Sequence, residues 1–305
     1  MGRTRQGVQQ KRNKDKPNTE FIVEQEIGLL EFLLIKLTKQ SRNNVKSLLS
    51  HREILVNGKV ITKYDYVLKE GQKVEVNWSL ARDNGKKSLL DIIYEDSEII
   101  VINKPAGLLS IATNKEDIRT AYHMLMEYVR IDNPKNRIFV VHRLDRDTSG
   151  IMVAAKNEKI KLLLQENWAD IILKRGYVAL VEGKLESPKG TVRSWLRETQ
   201  THFMYSSATE GDGQEAITDY EVVSENEEYS LVDVRLQTGR KNQIRVHMKD
   251  MGHSIAGDKK YGGQTNPLGR LCLHAYILEV KHPVTRKIMC FETEIPRKFI
   301  SLSRQ

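Results

Sequence analysis

The sequence predicts an α+β protein: a small αβ module, then a larger domain built mainly on antiparallel strands with flanking helices. Three observations carry this. Apolar residues alternate with polar ones through Ile217–Val223 and Leu231–Leu236, the two-residue period of half-buried antiparallel strands. Strands follow one another in runs while helices are segregated, which argues against a doubly wound parallel sheet. Asn57-Gly58 stands between Ile54-Leu55-Val56 and Lys59-Val60-Ile61, a strong two-residue hairpin signal.

Taken in order, residues 1–17 read as a flexible basic tail, since residues 1–16 hold six Lys/Arg against one Asp and no apolar period. Residues 18–78 form the small module. Leu29, Leu30, Phe32, Leu33, Leu34 and Leu37 cover a helical face, and Ser41 is placed to cap a second helix through Val45, Leu48 and Leu49. The Asn57-Gly58 hairpin and a last strand at Lys73–Val76 follow. Arg42, Lys46, Arg52, Lys59 and Lys63 surround the helix–hairpin junction and give the module a basic face. Residues 79–90 are polar, contain Asn84-Gly85-Lys86-Lys87, and read as a linker. The large domain spans 91–300, with a central strand predicted at Ile99–Ile102, a helix over Lys159–Trp168 and a strand at Tyr177–Val181.

At 305 residues the chain is long enough for two domains, one of them large enough to bury a full core. A net charge of +9 suggests a polyanionic partner. No apolar run approaches the roughly 18 residues of a membrane span, and the amino terminus has no apolar signal core. Cys272 and Cys290 both sit in strand-like apolar patterns, which favours buried thiols over a disulfide. The expectation is a cytosolic protein. His247 and His253 are six apart and cannot share a helix face, Cys272 and His274 lack a partner set, and no glycine-rich phosphate loop precedes a helix.

Residues 142–150, His-Arg-Leu-Asp-Arg-Asp-Thr-Ser-Gly, are the most informative stretch. They set one carboxylate, Asp145, between two arginines, with a Thr-Ser-Gly turn straight after. The flanking runs Phe139–Val141 and Ile151–Ala155 read as buried strands, so the loop is mounted rigidly at both ends. Neighbouring guanidinium groups favour an ionised carboxylate, which suits a nucleophile or electrostatic stabiliser and not a general acid. The same residues also allow a plain loop with surface ion pairs.

Three further segments stand out. Arg175-Gly176-Tyr177 follows the helix and opens a strand. Residues 238–247, Thr-Gly-Arg-Lys-Asn-Gln-Ile-Arg-Val-His, enter a helix whose apolar stripe is Ile244, Met248 and Met251. Residues 103–109, Asn-Lys-Pro-Ala-Gly-Leu-Leu, form a turn set by Pro105 and Gly107.

Together these four segments, in this order, closely resemble the RluA-type pseudouridine synthases, enzymes that isomerise uridine in RNA. The resemblance implies that Asp145 is the catalytic nucleophile and that Arg143 fills the gap left by a flipped base. It implies that Tyr177 stacks on the target base, that Arg245 pairs with Asp145, and that Leu273, in the strand around Leu271–Ala275, packs near the base. Stacking on an aromatic ring is a physically apt way to hold an extruded pyrimidine. Asn242 stands where many members have His, and Ser110 and Ile111 stand where a His often follows the Pro-Gly turn. Residues 18–78 resemble the small RNA-binding module named after ribosomal small-subunit protein four, departing at His51-Arg52-Glu53, where members often carry Gly.

The reaction implied is cleavage of uridine's glycosidic bond, rotation of the retained uracil and re-attachment through carbon 5. It needs no cofactor and no metal. The implied partner is RNA, with ribosomal RNA, the large subunit's above all, favoured over transfer RNA; the protein is expected to act as a monomer away from membranes. Two rivals differ in class. A non-catalytic RNA-binding or assembly factor would be favoured by a missing aspartate, tyrosine or arginine, and all three are present. A glycosidic-bond hydrolase would use Asp145 and Asp147 as paired carboxylates, but neither residue is an obvious proton donor beside arginines.

Overall fold

The computed structural model describes residues 19–38, 40, 42–50, 53–77, 90–112 and 120–304. The chain divides into two compact units, 1–88 and 89–305. The expected basic tail, the Ser41 cap, Arg52 and nearly all of the 79–90 linker lie outside the described residues.

In the first unit, β1 (Thr19–Ile22) and β2 (Ile27–Gly28) precede α1 (Leu29–Lys36) and α2 (Arg42–Ser50); β3 (Ile54–Val56), β4 (Lys59–Val60), β5 (Val67–Leu68) and β6 (Lys73–Val76) follow. The larger sheet has the order β1-β6-β3-β4, and β2 pairs β5. Asn57 and Gly58 both adopt positive φ, 50° and 76°, as a two-residue hairpin matched to strand twist requires. Leu29, Leu33, Val45, Leu49, Ile54, Val74 and Val76 close the core. The order of elements corrects the expectation of helices before strands. Strand β1 pairs with β6, Thr19 opposite Val76. Its four residues alternate only between half-buried and exposed, too weak a pattern to read in advance.

The second unit begins with β7 (Asp91–Glu95), β8 (Ile99–Lys104), α3 (Ala121–Asp132), β9 (Phe139–Val140), β10 (Ser149–Ala155), α4 (Glu158–Glu166) and α5 (Trp168–Ile171). It continues with β11 (Ile172–Glu182), β12 (Lys189–Glu198), β13 (Met204–Ser207), β14 (Gln214–Glu225), β15 (Tyr229–Leu236), α6 (Gln243–Asp250), β16 (Leu273–Lys281), β17 (Ile288–Glu292) and α7 (Arg297–Leu302). One sheet runs β13-β12-β14-β15-β11-β16-β10-β8-β7, with β17 beside β16 and β9 beside β10. Every pairing in it is antiparallel except β10 with β16, where Ser149 lies opposite His274 and Gly150 opposite Ala275. That parallel pair joins two antiparallel lobes, and the 142–150 loop runs directly into it. Only glycine fits at the joint: Gly150 has φ +118°, and a Cβ there would stand 2.1 Å from the Ala275 carbonyl oxygen.

Several boundaries differ from expectation. Strand β8 is second from the edge, not central. It looks central because both its faces are covered, Ile100 and Ile102 by α3 and Ile99 and Val101 by α4 and α5. Tyr177 lies in the middle of an eleven-residue strand, with a register shift at Gly176/Tyr177, and does not open it. The strand leading into the motif, β9, is only two half-buried residues long. Cys272 is buried but Cys290 is exposed, on strand β17, which has a partner on one side only.

Among the described residues no helix is long and apolar enough to cross a membrane, and no group of three His, Cys, Asp or Glu residues could hold a metal ion.

Candidate active site

The 142–150 loop is pinned at four residues. The His142 Nε2 accepts a hydrogen bond from the Val153 N–H at 3.0 Å. Burial, with Arg175 as a second cause, pushes this imidazole down to about 4, so it is neutral and tethers the loop to β10. Leu144 is buried; its N–H donates to Ser110 Oγ at 3.1 Å, and the same hydroxyl donates to its carbonyl at 2.7 Å. The Arg146 carbonyl accepts from the Gly107 N–H at 2.9 Å and from Lys104 Nζ at 3.1 Å. Ser149 Oγ accepts from Arg270 at 2.7 Å and is hydrogen-bonded to His274 Nδ1 at 2.8 Å.

Lys104 is 0% exposed and donates to three carbonyls, those of Pro105, Leu108 and Arg146. Burial lowers its pKa to about 8, against the opposing charges of Asp145 and Asp147. The 103–109 turn and Ser110 are thus the buttress under the motif. Between these anchors Asp145 projects, half-buried.

The expected bracket of sequence-adjacent arginines does not form. Arg146 turns to Asp147 at 3.3 Å, and Arg143 is exposed with no ion pair among the described residues. The guanidinium at Asp145 comes from α6: Arg245 Nη1 lies 3.1 Å from Asp145 Oδ2. Helix α6 is fixed at its start by Gln243, whose Oε1 accepts from Thr238 Oγ1 and the Arg240 N–H while its Nε2 donates to Ile217 O and Thr218 Oγ1. Ile244 and Met248 then bury its apolar stripe, with Met251 packed alongside.

Arg245 is held from behind. Its Nε and Nη2 each donate at 2.7 Å to the two oxygens of Asp258, whose side chain is fully buried. That bidentate fork fixes the guanidinium plane and leaves Nη1 for Asp145 and, at 3.3 Å, Asn242 Oδ1. The Tyr261 ring lies 4.8 Å from the guanidinium carbon. Burial disfavours the Arg245 charge, but Asp258 and then Asp145 outweigh it and raise its pKa. Asn242, whose role the sequence left open, adopts φ +56° and donates to the Tyr261 hydroxyl.

Tyr177 stands opposite Ala275 and packs against both the core around Leu273 and the core around Leu144. Burial pushes its phenol up to about 12, with the charges of Arg175 and Asp145 acting on it in opposite senses. Its hydroxyl has no hydrogen-bond partner among the described residues. Leu273 is 3% exposed and packs in the core that Tyr177 also joins. In the first unit Arg42, Lys46, Lys59 and Lys63 are all exposed, and Lys46 lies 5.7 Å from the Tyr64 ring.

The sequence reading missed Asp258 and the weight carried by Lys104. In the sequence Asp258 is only a lone acid in the basic turn Gly257–Lys260. Nothing in its spacing from Arg245 marks the pair.

The family model for RNA pseudouridylate synthases matches residues 98–250, and the S4 domain model matches residues 28–74. The chain is 32% identical to the uncharacterized RNA pseudouridine synthase YhcT of Bacillus subtilis (strain 168), over 93% of this chain and 95% of the relative. It is also 32% identical to ribosomal large subunit pseudouridine synthase D of Escherichia coli O6:H1, over 86% of this chain and 85% of the relative. Among solved structures, human RNA pseudouridylate synthase domain containing 4 matches with a TM-score of 0.58 at 22% identity, over 73% of this chain and 95% of that one, a likeness of fold. With half the chain under one family model and relatives aligned along most of its length, this protein belongs to the RluA-type family of RNA pseudouridylate synthases and carries an S4 domain at its amino-terminal end.

Proposed function

We propose that the protein isomerises specific uridines of structured ribosomal RNA, those of the large subunit above all, with Asp145 as the group that performs the chemistry. The observation that carries the reading is the chain of contacts from Asp258 through Arg245 to Asp145. A carboxylate held against a fixed guanidinium is aimed, as a nucleophile or base acting on the ribose or the base must be. In the net reaction the bond from C1′ to N1 breaks and one from C1′ to C5 forms. The proton leaves C5, and N1 gains one. Nothing is oxidised and no group goes to an acceptor, so the reaction calls for no nucleotide cofactor.

In this reading Tyr177 supplies the stacking face for the extruded uracil, and Arg143, exposed and with no ion pair among the described residues, fills the space the base vacates. Residues 18–78 serve as the RNA-binding module, with Arg42, Lys46, Arg52, Lys59 and Lys63 as phosphate contacts. The large-subunit preference rests on the name of the Escherichia coli relative and on the S4 domain. The protein acts as a monomer.

The test is a map of carbodiimide-reactive uridines in total RNA from cells with and without the protein. Loss of signal at one or a few large-subunit sites is expected. A change confined to transfer RNA would overturn the target assignment.

A further inference from the structure

At one end of β11 and β15 the second unit carries a cleft of about 740 Å³ that the reaction scheme does not use. That is ample for one nucleotide, within the usual size of ligand sites. Trp168, Lys174, Arg175, Arg235 and Arg240 line it, and no acidic side chain does. We propose that this cleft holds a nucleotide of the single-stranded RNA flanking the isomerised uridine, its phosphodiester on Lys174, Arg175 and Arg240 and its base against Trp168. The proposal rests on the reading that the substrate is RNA.

Charge accounting supports an anion. On the neighbouring sheet surface the cations are matched: Arg193 with Glu215, Arg197 with Asp212, Lys241 with Glu198. In the cleft Arg235 is matched by Asp233. Lys174, Arg175 and Arg240 line the cleft with no carboxylate within 4.0 Å among the described residues; the charge of Lys174 still acts on Asp233, which leaves Arg175 and Arg240 as the unmatched charges around one space.

Two of these groups are also pre-oriented. Arg175 Nη2 donates to the Leu236 and Gln237 carbonyls at 3.3 and 3.0 Å, and its Nη1 packs on Gly239, where a Cβ would stand 2.4 Å away. Arg240 Nε donates to the Glu215 carbonyl at 2.9 Å. Backbone carbonyls fix both guanidinium groups without neutralising them, and an anion between them would relieve their mutual repulsion. Arg175 feels that repulsion: burial first, then Arg240, lowers its pKa.

The cleft also adjoins the chemistry. The Trp168 ring centre lies 5.2 Å from that of His142, the first residue of the motif, and Arg175 is two residues before Tyr177. Base stacking on an aromatic ring beside a cationic track is the usual grip on single-stranded RNA.

The test uses the full-length protein and a short fluorescein-labelled single-stranded oligouridylate, with binding measured across a potassium chloride series. Lys174 and Arg240 are exposed, so K174Q/R240Q tests the charges with little burden on the fold. The double variant should bind more weakly, and its log–log salt slope should be shallower by about 1.4, roughly 0.7 for each lost phosphate contact. K184Q, at an exposed lysine already paired with Glu227, should match the wild type.

Neutral methylphosphonate linkages placed one at a time along the probe should weaken the wild type at particular positions and leave the double variant indifferent there. An unchanged slope and affinity in K174Q/R240Q would overturn the proposal. So would uridine monophosphate displacing the probe at equal phosphate concentration, which would assign the cleft to a free nucleotide. A wild type that binds the probe yet forms no pseudouridine in RNA would instead sink the reading of the reaction.

Discussion

Arg245 and Asp145 stand 100 residues apart in the chain, and their Nη1 and Oδ2 atoms are 3.1 Å apart in space. The contact is geometrically specific because the rest of the guanidinium is already committed to Asp258 at 2.7 Å on both arms. Asp258 therefore sets the position and plane of the group that sets Asp145.

Asp258→Asn should test this relay. The amide keeps the shape but cannot accept both N–H bonds as a carboxylate does, and it leaves the Arg245 charge half matched. Breaking a buried ion pair by removing one partner costs about 3–5 kcal/mol, so the thermal midpoint should fall while unfolding stays cooperative. The single-turnover rate at saturating enzyme should drop at least tenfold, with RNA affinity little changed. A variant with lowered stability but a wild-type rate would make Asp258 merely structural.

Lys104 predicts a separable effect under the loop. Lys104→Met removes three hydrogen bonds, one of them to the Arg146 carbonyl beside Asp145. The loop should shift, and displacements near 1 Å can cost about 100-fold in rate. Turnover should therefore fall far more than RNA binding. Equal losses in both would mean that the lysine only supports the fold.

Tyr177 distinguishes ring from hydroxyl. If the ring is a stacking face, worth about 1–3 kcal/mol per base, Tyr177→Phe should stay active and Tyr177→Ala should lose most of its turnover. A phenylalanine variant as inactive as the alanine one would assign chemistry to the phenol.

Mild acid should destabilise the second unit. His142, His247 and His274 are each pushed down to about 4, chiefly by burial, from the ordinary 6.5. Between those values the unfolded chain binds more protons than the native one, so stability is present above pH 6.5 and is lost as pH falls through about 4. Thermal melts from pH 7 to pH 4 should show a steadily falling midpoint, and His142→Gln should flatten the slope. A midpoint independent of pH across that range would contradict the burial of these imidazoles as neutral groups.

What the sequence disclosed follows from where the signal is local. The Asn57-Gly58 turn, the alternation in β14 and β15 and the Ile244/Met248/Met251 stripe are set within a few residues, and each element formed where its pattern lay. Asp145 and Arg245 were legible because each sits in a distinctive string. Asp258 was not, since its partner lies on a helix and nothing periodic links the two. Strand β8 misled because a strand buried on both faces reads as central wherever it stands in the sheet. The sequence neighbours Arg143 and Arg146 misled for the opposite reason. Arg146 pairs with Asp147 and Arg143 is exposed, so the charge at Asp145 arrives from elsewhere.

We assign the reaction to Asp145 and not to Asp147. Asp147 pairs with Arg146 at 3.3 Å, whereas the ion pairs of Arg245 are with Asp145 and Asp258. The most direct measurement is single-turnover pseudouridine formation by Asp145→Asn and Asp147→Asn, at saturating enzyme, on the RNA identified by carbodiimide mapping. Asp145→Asn should fold and bind the RNA yet form no pseudouridine, while Asp147→Asn should retain measurable turnover. Equal and complete loss in both variants, or turnover surviving in Asp145→Asn, would contradict that assignment.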